Sequence, residues 1–313
     1  MKLGFIKSSF PNEQRVSLLP KHIKDFQNDI FVESGFGDSL NISDEEYRKK
    51  GVTILERSEI FSTCKAIFSL KLIQPSDYEY IRDNQIIIGW THPNGSGKSF
   101  MINQAIPKKL VVVDLDNKKP TVFYDGKEYQ PKWIPTDFIY QNSFYAGYAG
   151  TIHALISYGL FPTNEEKIAV LGSGNVSQGS FHAISKFSDN VRMFYRKTIP
   201  EFKAQIEKFD IIINGIDVGS EGVAIITKKE RKVIKEGCLI IDVAADVGNT
   251  IEDTDFTTIE NPIRYDPIDK HYFYAVSNTP TLVYRNVSEI ISENFSKYIY
   301  SPKIEMILDL IKT

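Results

Sequence analysis

Short apolar runs, separated by polar, glycine-containing or helix-periodic segments, recur along the whole chain. In the first part they fall at residues 2–6, 30–33, 52–55, 66–72, 85–91 and 110–115, with helical or polar connections between most of them. That alternation predicts a mainly parallel sheet covered by helices. The segment TVFYDGKEYQ follows, with Asp125-Gly126 between alternating residues, and reads as a two-residue hairpin. Pro131 and Pro135 then interrupt the pattern, and a domain boundary is expected just beyond them. A long helix rich in small residues is expected from about 142 to 160, placed to run between domains.

The stretch KIAVLGSGNVSQGSFHAISKFSDNVRMFYRK, residues 167–197, reads as strand, tight glycine turn, helix and second strand. Further strands are expected at 211–216, 239–244 and 272–276 and complete a second doubly wound domain. After Asn278-Thr279-Pro280, which has the form of a helix start, a helix is expected to continue to Tyr298. The closing SPKIEMILDLIKT is a short amphipathic helix that packs back most economically on the first domain. The expected fold class is therefore α/β with two doubly wound domains. Residues 1–138 and 285–313 are expected to form one Rossmann-like domain, and 139–284 a Rossmann domain built on the glycine turn.

Composition narrows the class. With 313 residues, 42% hydrophobic and 25% charged, the chain is long enough for two domains with separate cores. A net charge of −3 gives no electrostatic reason to expect nucleic acid or an anionic membrane as partner. The opening MKLGFIKSSFPNEQR lacks the apolar run of a signal peptide, and no segment approaches a membrane span, so a cytoplasmic location is expected. Cys64 and Cys238 each lie in apolar surroundings, which predicts neither a disulfide framework nor a metal site.

The glycine turn carries the cofactor chemistry. Gly172 and Gly174 sit where the chain must bend and admit a pyrophosphate, with the N–H groups of the helix start, Asn175 and Val176, aimed at it. The pattern departs from GxGxxG, because Ser177 takes the sixth position and Gly179 follows two residues late. At the end of the second strand an NAD site wants a carboxylate, whereas this chain has Arg196 and Lys197. A guanidinium fork and a neighbouring ammonium suit a 2′-phosphate, so the expected cofactor is NADP(H). The hexapeptide NGSGKS at 94–99 imitates the tail of a P-loop, but His92 stands where that motif needs its first glycine.

Candidate chemistry lies at strand ends in both halves. Arg15, in NEQRVSLLP, follows the first strand, and its forked guanidinium suits a carboxylate; taken alone it reads equally as a surface arginine paired with Glu13. Lys71 ends an otherwise apolar strand, where a buried lysine is costly unless paired or functional. His92 closes QIIIGWTH beside a Pro-Asn-Gly loop, unlike His22, His153, His182 and His271, which read as structural or surface residues. Asp242 and Asp246 both end IIDVAAD, and either can face a ligand.

The segments GFIKSSFPNEQRVSLLP, KLIQP, QIIIGWTH, LGSGNVSQG, LIIDVAADVG and YAVSNTP resemble, in order and spacing, those of the alanine dehydrogenase and pyridine nucleotide transhydrogenase superfamily. Within it the short length and the Arg196-Lys197 strand end resemble the ornithine-condensing branch. The resemblance implies an NADPH-dependent oxidoreductase with an active-site cleft between its two domains. Its substrates would be pyruvate and the side-chain amine of ornithine or lysine, and the chain would form a homo-oligomer. It further implies that Arg15 grips the pyruvate carboxylate and His92 hydrogen-bonds the carbonyl or alcohol oxygen. Asp246 would face the cofactor, and Asn278 would lie near the nicotinamide. The superfamily's lysine before Glu-Pro falls on Ile73, with Gln74-Pro75 following, while Lys71 is two residues earlier and is expected on the same strand face. Two other readings stand beside this one: an alanine dehydrogenase using ammonia, and a nucleotide-binding module without chemistry.

Overall fold

The computed structural model describes residues 1–116, 119–219 and 221–312. The chain divides into two compact units, one comprising Met1–Ile139 with Tyr284–Thr313 and the other Tyr140–Val283. Among the described residues no helix is long and apolar enough to cross a membrane.

The first unit is an eight-stranded sheet in the order β3-β2-β1-β4-β5-β6-β7-β8. Its strands are β1 (Lys2–Ile6), β2 (Asp29–Glu33), β3 (Thr53–Leu55), β4 (Ala66–Lys71), β5 (Ile86–Trp90), β6 (Val111–Asp114), β7 (Thr121–Tyr124) and β8 (Lys127–Tyr129). The first six run parallel, with Leu3 facing Ile30 on one side and Ala66 on the other. Every residue of β5 and β6 is buried, as expected of parallel strands covered on both faces. β7 and β8 form the antiparallel hairpin, and Asp125 (φ 49°) and Gly126 (φ 71°) both adopt the left-handed backbone that its two-residue turn requires. Because β2 and β3 lie on one side of β1 and β4 to β6 on the other, the carboxyl ends of β1 and β4 flank a topological switch point.

The chain returns to this unit through the helix Tyr284–Phe295, a wide turn Ser296–Tyr300 and the helix Glu305–Leu310. Phe295 and Tyr300 pack their rings on Phe68, and Tyr300 also meets Phe5 edge-on at 4.7 Å. Asn28 ties the turn down: its amide donates to the Tyr300 and Pro302 carbonyls and its oxygen accepts from the Ile304 N–H. On the neighbouring helix, Ser288 and Ser292 hydroxyls accept from the Val16 and Leu19 N–H groups at 2.9 and 2.7 Å. The returning helix therefore pins the loop that carries Arg15.

The second unit is a six-stranded sheet in the order β10-β9-β11-β12-β14-β13. It comprises β9 (Ile168–Leu171), β10 (Val191–Phe194), β11 (Ile211–Asn214), β12 (Leu239–Asp242), β13 (Arg264–Asp266) and β14 (His271–Tyr274), parallel except for β13 at the edge. The glycine turn after β9 leads into the helix Asn175–Ile184. That helix lies against the long helix Tyr140–Tyr158 at a backbone-to-backbone contact. A Cβ on Gly147 would stand 1.8 Å from the Val176 carbonyl oxygen, and one on Gly179 would stand 1.9 Å from that of Phe144. Here lies the physical use of the small residues in the long helix and of the late glycine in the turn motif. Gly159, at φ 81°, ends the long helix.

Two elements differ from the sequence expectation. β13 is polar (RYD) and pairs only along one edge, so no apolar run marks it. After Asn278 the chain first makes a tight 3-10 turn, Thr279–Val283, and becomes an α-helix only at Tyr284.

Candidate active site

In the first unit two sequence candidates, Arg15 and Lys71, gather around one indole. Arg15 lies in the loop after β1 with its side chain only 1% exposed, so it is not a surface residue. Glu13 accepts from its Nε at 2.8 Å and its Nη2 at 2.5 Å, a two-point fork, and also from the Arg15 backbone N–H. The guanidinium carbon stands 4.8 Å from the centre of the Trp90 ring, at the end of β5. The Lys71 ammonium, at the end of β4, stands 4.9 Å from the same ring and 5.5 Å from that of Phe10. Burial pushes Lys71 down to about 8, and the neighbouring Arg15 charge acts in the same direction.

The expectation that Lys71 and Ile73 share a strand face is corrected by the structure. The register against β5 shifts between Ser69 and Lys71, and the strand ends there. Ile73 lies beyond it, 2% exposed, packed in the apolar core with Ile6, Ile60 and Ile87. The two positions face different environments because the strand ends at Lys71, so its two-residue period does not extend to Ile73.

His92 follows β5 with φ 44°, an uncommon conformation for a non-glycine residue. Two acids of the neighbouring strand end hold it. Buried Asp114 accepts from the Thr91 N–H at 2.9 Å and the His92 N–H at 3.3 Å, and Asp116 Oδ2 lies 3.2 Å from His92 Nδ1. Asp116 thus faces Nδ1 and leaves Nε2 as the ring atom open to another partner. The NGSGKS segment forms a turn whose Gly95 and Gly97 N–H groups donate to the His92 carbonyl. A Cβ at Gly97 would stand 1.9 Å from the Thr91 oxygen, so this glycine serves close packing rather than phosphate binding.

In the second unit Gly172 (φ 104°) makes the turn after β9, and Ser177 Oγ closes it from beneath by donating to the Leu171 carbonyl. A Cβ at Gly172 would strike that hydroxyl at 2.3 Å, whereas one at Gly174 would meet nothing within 4 Å. The open side of the turn, with Asn175 and Val176 starting the helix, has the form of a pyrophosphate cradle. Arg196 and Lys197 follow β10, both exposed. Among the described residues neither makes an ion pair, in contrast to Arg192, which pairs with Glu201. The turn and the helix start fit the pyrophosphate of a nicotinamide dinucleotide. Asn278 sits at φ 58°, where β14 gives way to the 3-10 turn.

Asp246 is the most heavily hydrogen-bonded acid of this unit. It accepts from the Val218 N–H at 2.8 Å, the Gly219 N–H at 3.2 Å, the Asn249 amide at 2.7 Å and the Thr250 hydroxyl at 2.5 Å. Burial alone would raise its carboxyl, but these donors outweigh burial and hold it below the usual carboxylate range. Burial and the Asp246 charge push the adjacent Asp217 upward. Asp242, 2% exposed, is pushed up to about 6 by burial, with its Oδ1 accepting from the Asn214 amide. Its partners are framework groups, which separates it from Asp246.

Sequence reading missed Trp90, Phe10, Asp114 and Asp116 as members of these sets. The signal for the two acids was present in VVVDLD, a strand ending in carboxylates beside the strand that ends in His92.

Residues 4–119 match the family model of the alanine dehydrogenase/PNT N-terminal domain, and residues 168–307 match that of the C-terminal domain. The chain belongs to the alanine dehydrogenase/PNT family. Within it, the chain is 55% identical over 310 residues to the N(5)-(carboxyethyl)ornithine synthase of Lactococcus lactis subsp. lactis (strain IL1403), covering 99% of both. It is 53% identical over 311 residues to the protein of that name from Clostridium botulinum, covering 99% of this chain and 98% of the relative. Alanine dehydrogenase 1 of Staphylococcus aureus is 22% identical, over 96% of this chain and 87% of that one. An L-alanine dehydrogenase structure superposes with a TM-score of 0.77 at 16% identity, covering 99% of this chain and 92% of its own. A transhydrogenase from Sinorhizobium meliloti gives 0.74 at 17%, covering 100% and 97%. Both have the same pair of Rossmann-like α/β domains. As a member of this family the chain is an oxidoreductase of the kind that uses a nicotinamide cofactor.

The Asp246 web makes a testable statement about charge. A carboxyl whose folded pKa is depressed contributes stability above its unfolded value and loses it as pH falls through the folded one. Thr250→Val removes one donor without changing shape. It should move the Asp246 titration upward in carboxyl NMR and cost about 2 kcal/mol in urea unfolding at pH 7, less at acid pH. An unchanged Asp246 titration contradicts the assignment.

Proposed function

We propose that this chain catalyses the NADPH-dependent reductive condensation of pyruvate with the side-chain amine of ornithine or lysine, giving a carboxyethyl amino acid. The observation that carries the reading is the 55% identity, over 99% of both chains, to a protein named N(5)-(carboxyethyl)ornithine synthase. A carboxyethyl group on nitrogen is what remains of pyruvate once its imine has been reduced.

In this reading Arg15 binds the pyruvate carboxylate, its guanidinium plane set by Glu13 and Trp90. Lys71 faces the same substrate. His92 hydrogen-bonds the keto oxygen and, as condensation proceeds, passes a proton to the departing oxygen; Asp116 fixes the ring for that task. A side-chain amine that titrates in water at about 10.4 must lose a proton before it attacks. Water loss then leaves an imine whose positive charge a carboxylate can stabilise. Asp246 suits that role because its hydrogen bonds keep it ionised at neutral pH. NADPH supplies the hydride to that carbon. Gly172, Gly174, Asn175 and Val176 receive its pyrophosphate, Arg196 and Lys197 its 2′-phosphate, and Asn278 its nicotinamide end.

The alanine dehydrogenase reading is weakened at Ile73. The family lysine position is occupied here by an apolar side chain packed in the core. Ammonia also offers no backbone charges through which binding energy can place the reacting amine.

An NADPH-oxidation assay with pyruvate and a panel of amines should give turnover with ornithine or lysine and little with ammonium, with a carboxyethyl amino acid found by mass spectrometry. Comparable catalytic efficiency with ammonium, giving alanine, overturns the reading. Arg196→Asp should shift cofactor preference toward NADH, since the phosphate fork is lost and a repulsive charge replaces it. Kinetics with both cofactors check this, and unchanged preference would assign the phosphate to another residue.

A further inference from the structure

We infer that Lys71 is a covalent catalyst: its side-chain amine condenses with the carbonyl carbon of the 2-oxo acid, and the enzyme-bound imine is then exchanged onto the substrate amine. The inference rests on the reading of the β1, β4 and β5 ends as the 2-oxo-acid site. It adds a bond to that site which the reading does not require.

The setting of the side chain is decisive. Lys71 is the last residue of β4, the strand between those that lead to Arg15 and to His92. Its Nζ stands within reach of two aromatic rings, Trp90 and Phe10, and Trp90 also carries the Arg15 guanidinium. Among the described residues the Lys71 ammonium makes no ion pair or hydrogen bond, whereas Lys21, Lys203, Lys235 and Lys270 each hold a carboxylate. The acids that act on it through space are already engaged, Glu13 by Arg15 and Asp116 by His92. Burial and the neighbouring Arg15 cation disfavour the ammonium, against the attraction of the Trp90 and Phe10 ring faces. Desolvation and a cationic neighbour are the two conditions that turn lysine into an amine nucleophile near neutral pH. With the group at about 8 instead of 10.5, the neutral amine at pH 7 is enriched roughly 300-fold over a solvated lysine. Asp116 and Glu13 pull the other way and are already included in that balance.

The chemistry balances without any further reagent. The Lys71 nitrogen lone pair forms a bond to the keto carbon, one of its two N–H protons passes to the keto oxygen, a second proton comes from His92 in its imidazolium form, and the oxygen leaves as water. A protonated imine to Nζ remains. The substrate amine adds to the same carbon, a proton moves from the incoming nitrogen to Nζ, and the carbon–Nζ bond breaks. Lys71 returns as a neutral amine and the substrate imine stands ready for reduction. No electrons are exchanged until that reduction. Exchange from a protonated imine is easier than attack on a ketone, because the carbon is more electrophilic and the water has already gone.

The test uses the whole protein with pyruvate and sodium cyanoborohydride, without NADPH or amine, followed by intact mass and peptide mapping. The expected result is one carboxyethyl group per chain, on Lys71, suppressed when ornithine competes. Lys71→Arg, which keeps the charge but cannot form the imine, should take up no label and lose most of its turnover number. Its pyruvate binding, followed by tryptophan fluorescence, should change by less than about threefold. Label absent from Lys71 or spread over surface lysines overturns the covalent step, as does Lys71→Arg turning over at the wild-type rate. If the wild-type protein binds pyruvate yet takes no label, the covalent step alone falls. If pyruvate does not bind, the strand-end site falls and this inference with it.

Discussion

The first unit is arranged around a buried cation. A guanidinium withdrawn from water costs several kcal/mol unless its charge and donors are met, and Arg15 is met twice, by the Glu13 fork and by the Trp90 ring. Both partners come from strand ends or the loop after β1, so keeping them in place requires that loop to be fixed. Ser288 and Ser292 fix it from the returning helix, and Tyr300 donates to the Ser17 carbonyl. Arg57 holds its beginning by donating to the Lys7 carbonyl and the Ser9 hydroxyl, while its own charge is balanced by Glu33 and Asp77. The carboxyl-terminal segment is thus part of the same physical object as the amino-terminal strand.

The second unit solves the opposite problem, keeping an anion in a buried place. Four donors converge on Asp246, two of them backbone N–H groups of the loop after β11. The Ile216 carbonyl, 3.0 Å from the same Thr250 oxygen, is the alternative acceptor for its single hydroxyl proton. The glycine turn of the same unit depends on close approach of backbones: Gly172 over Ser177, and Gly147 and Gly179 where two helices touch. Cation in one unit and anion in the other are both prepared before any ligand arrives, so the cost of ordering them is met in folding.

Much of this was legible in the sequence because parallel strands announce themselves as apolar runs and place their chemistry at the carboxyl ends. The Gly172 turn was readable from its place after β9, and Asp125-Gly126 from its turn chemistry. Arg15 was legible as a candidate but not as a buried group, since burial depends on the returning helix, whose Ser288 lies 272 residues beyond its Val16 partner. Trp90 read as one more core aromatic, because nothing local to it reports that two cations from other loops stack on it. The Lys71–Ile73 relation was misread because the apolar run continues to Ile73 although the strand ends at Lys71. β13 was invisible because an edge strand paired on one side need not be apolar.

If one carbon of a 2-oxo acid is joined to a side-chain nitrogen and then reduced, the most direct measurement is the fate of a deuterium carried at C4 of the nicotinamide. With NADPH deuterated on the transferred face, pyruvate and ornithine, the product should be a single carboxyethyl-ornithine. Its deuterium should lie on the carbon that was the pyruvate carbonyl, bonded to the side-chain nitrogen. Deuterium recovered instead in alanine or lactate, or an unlabelled condensation product, would contradict it.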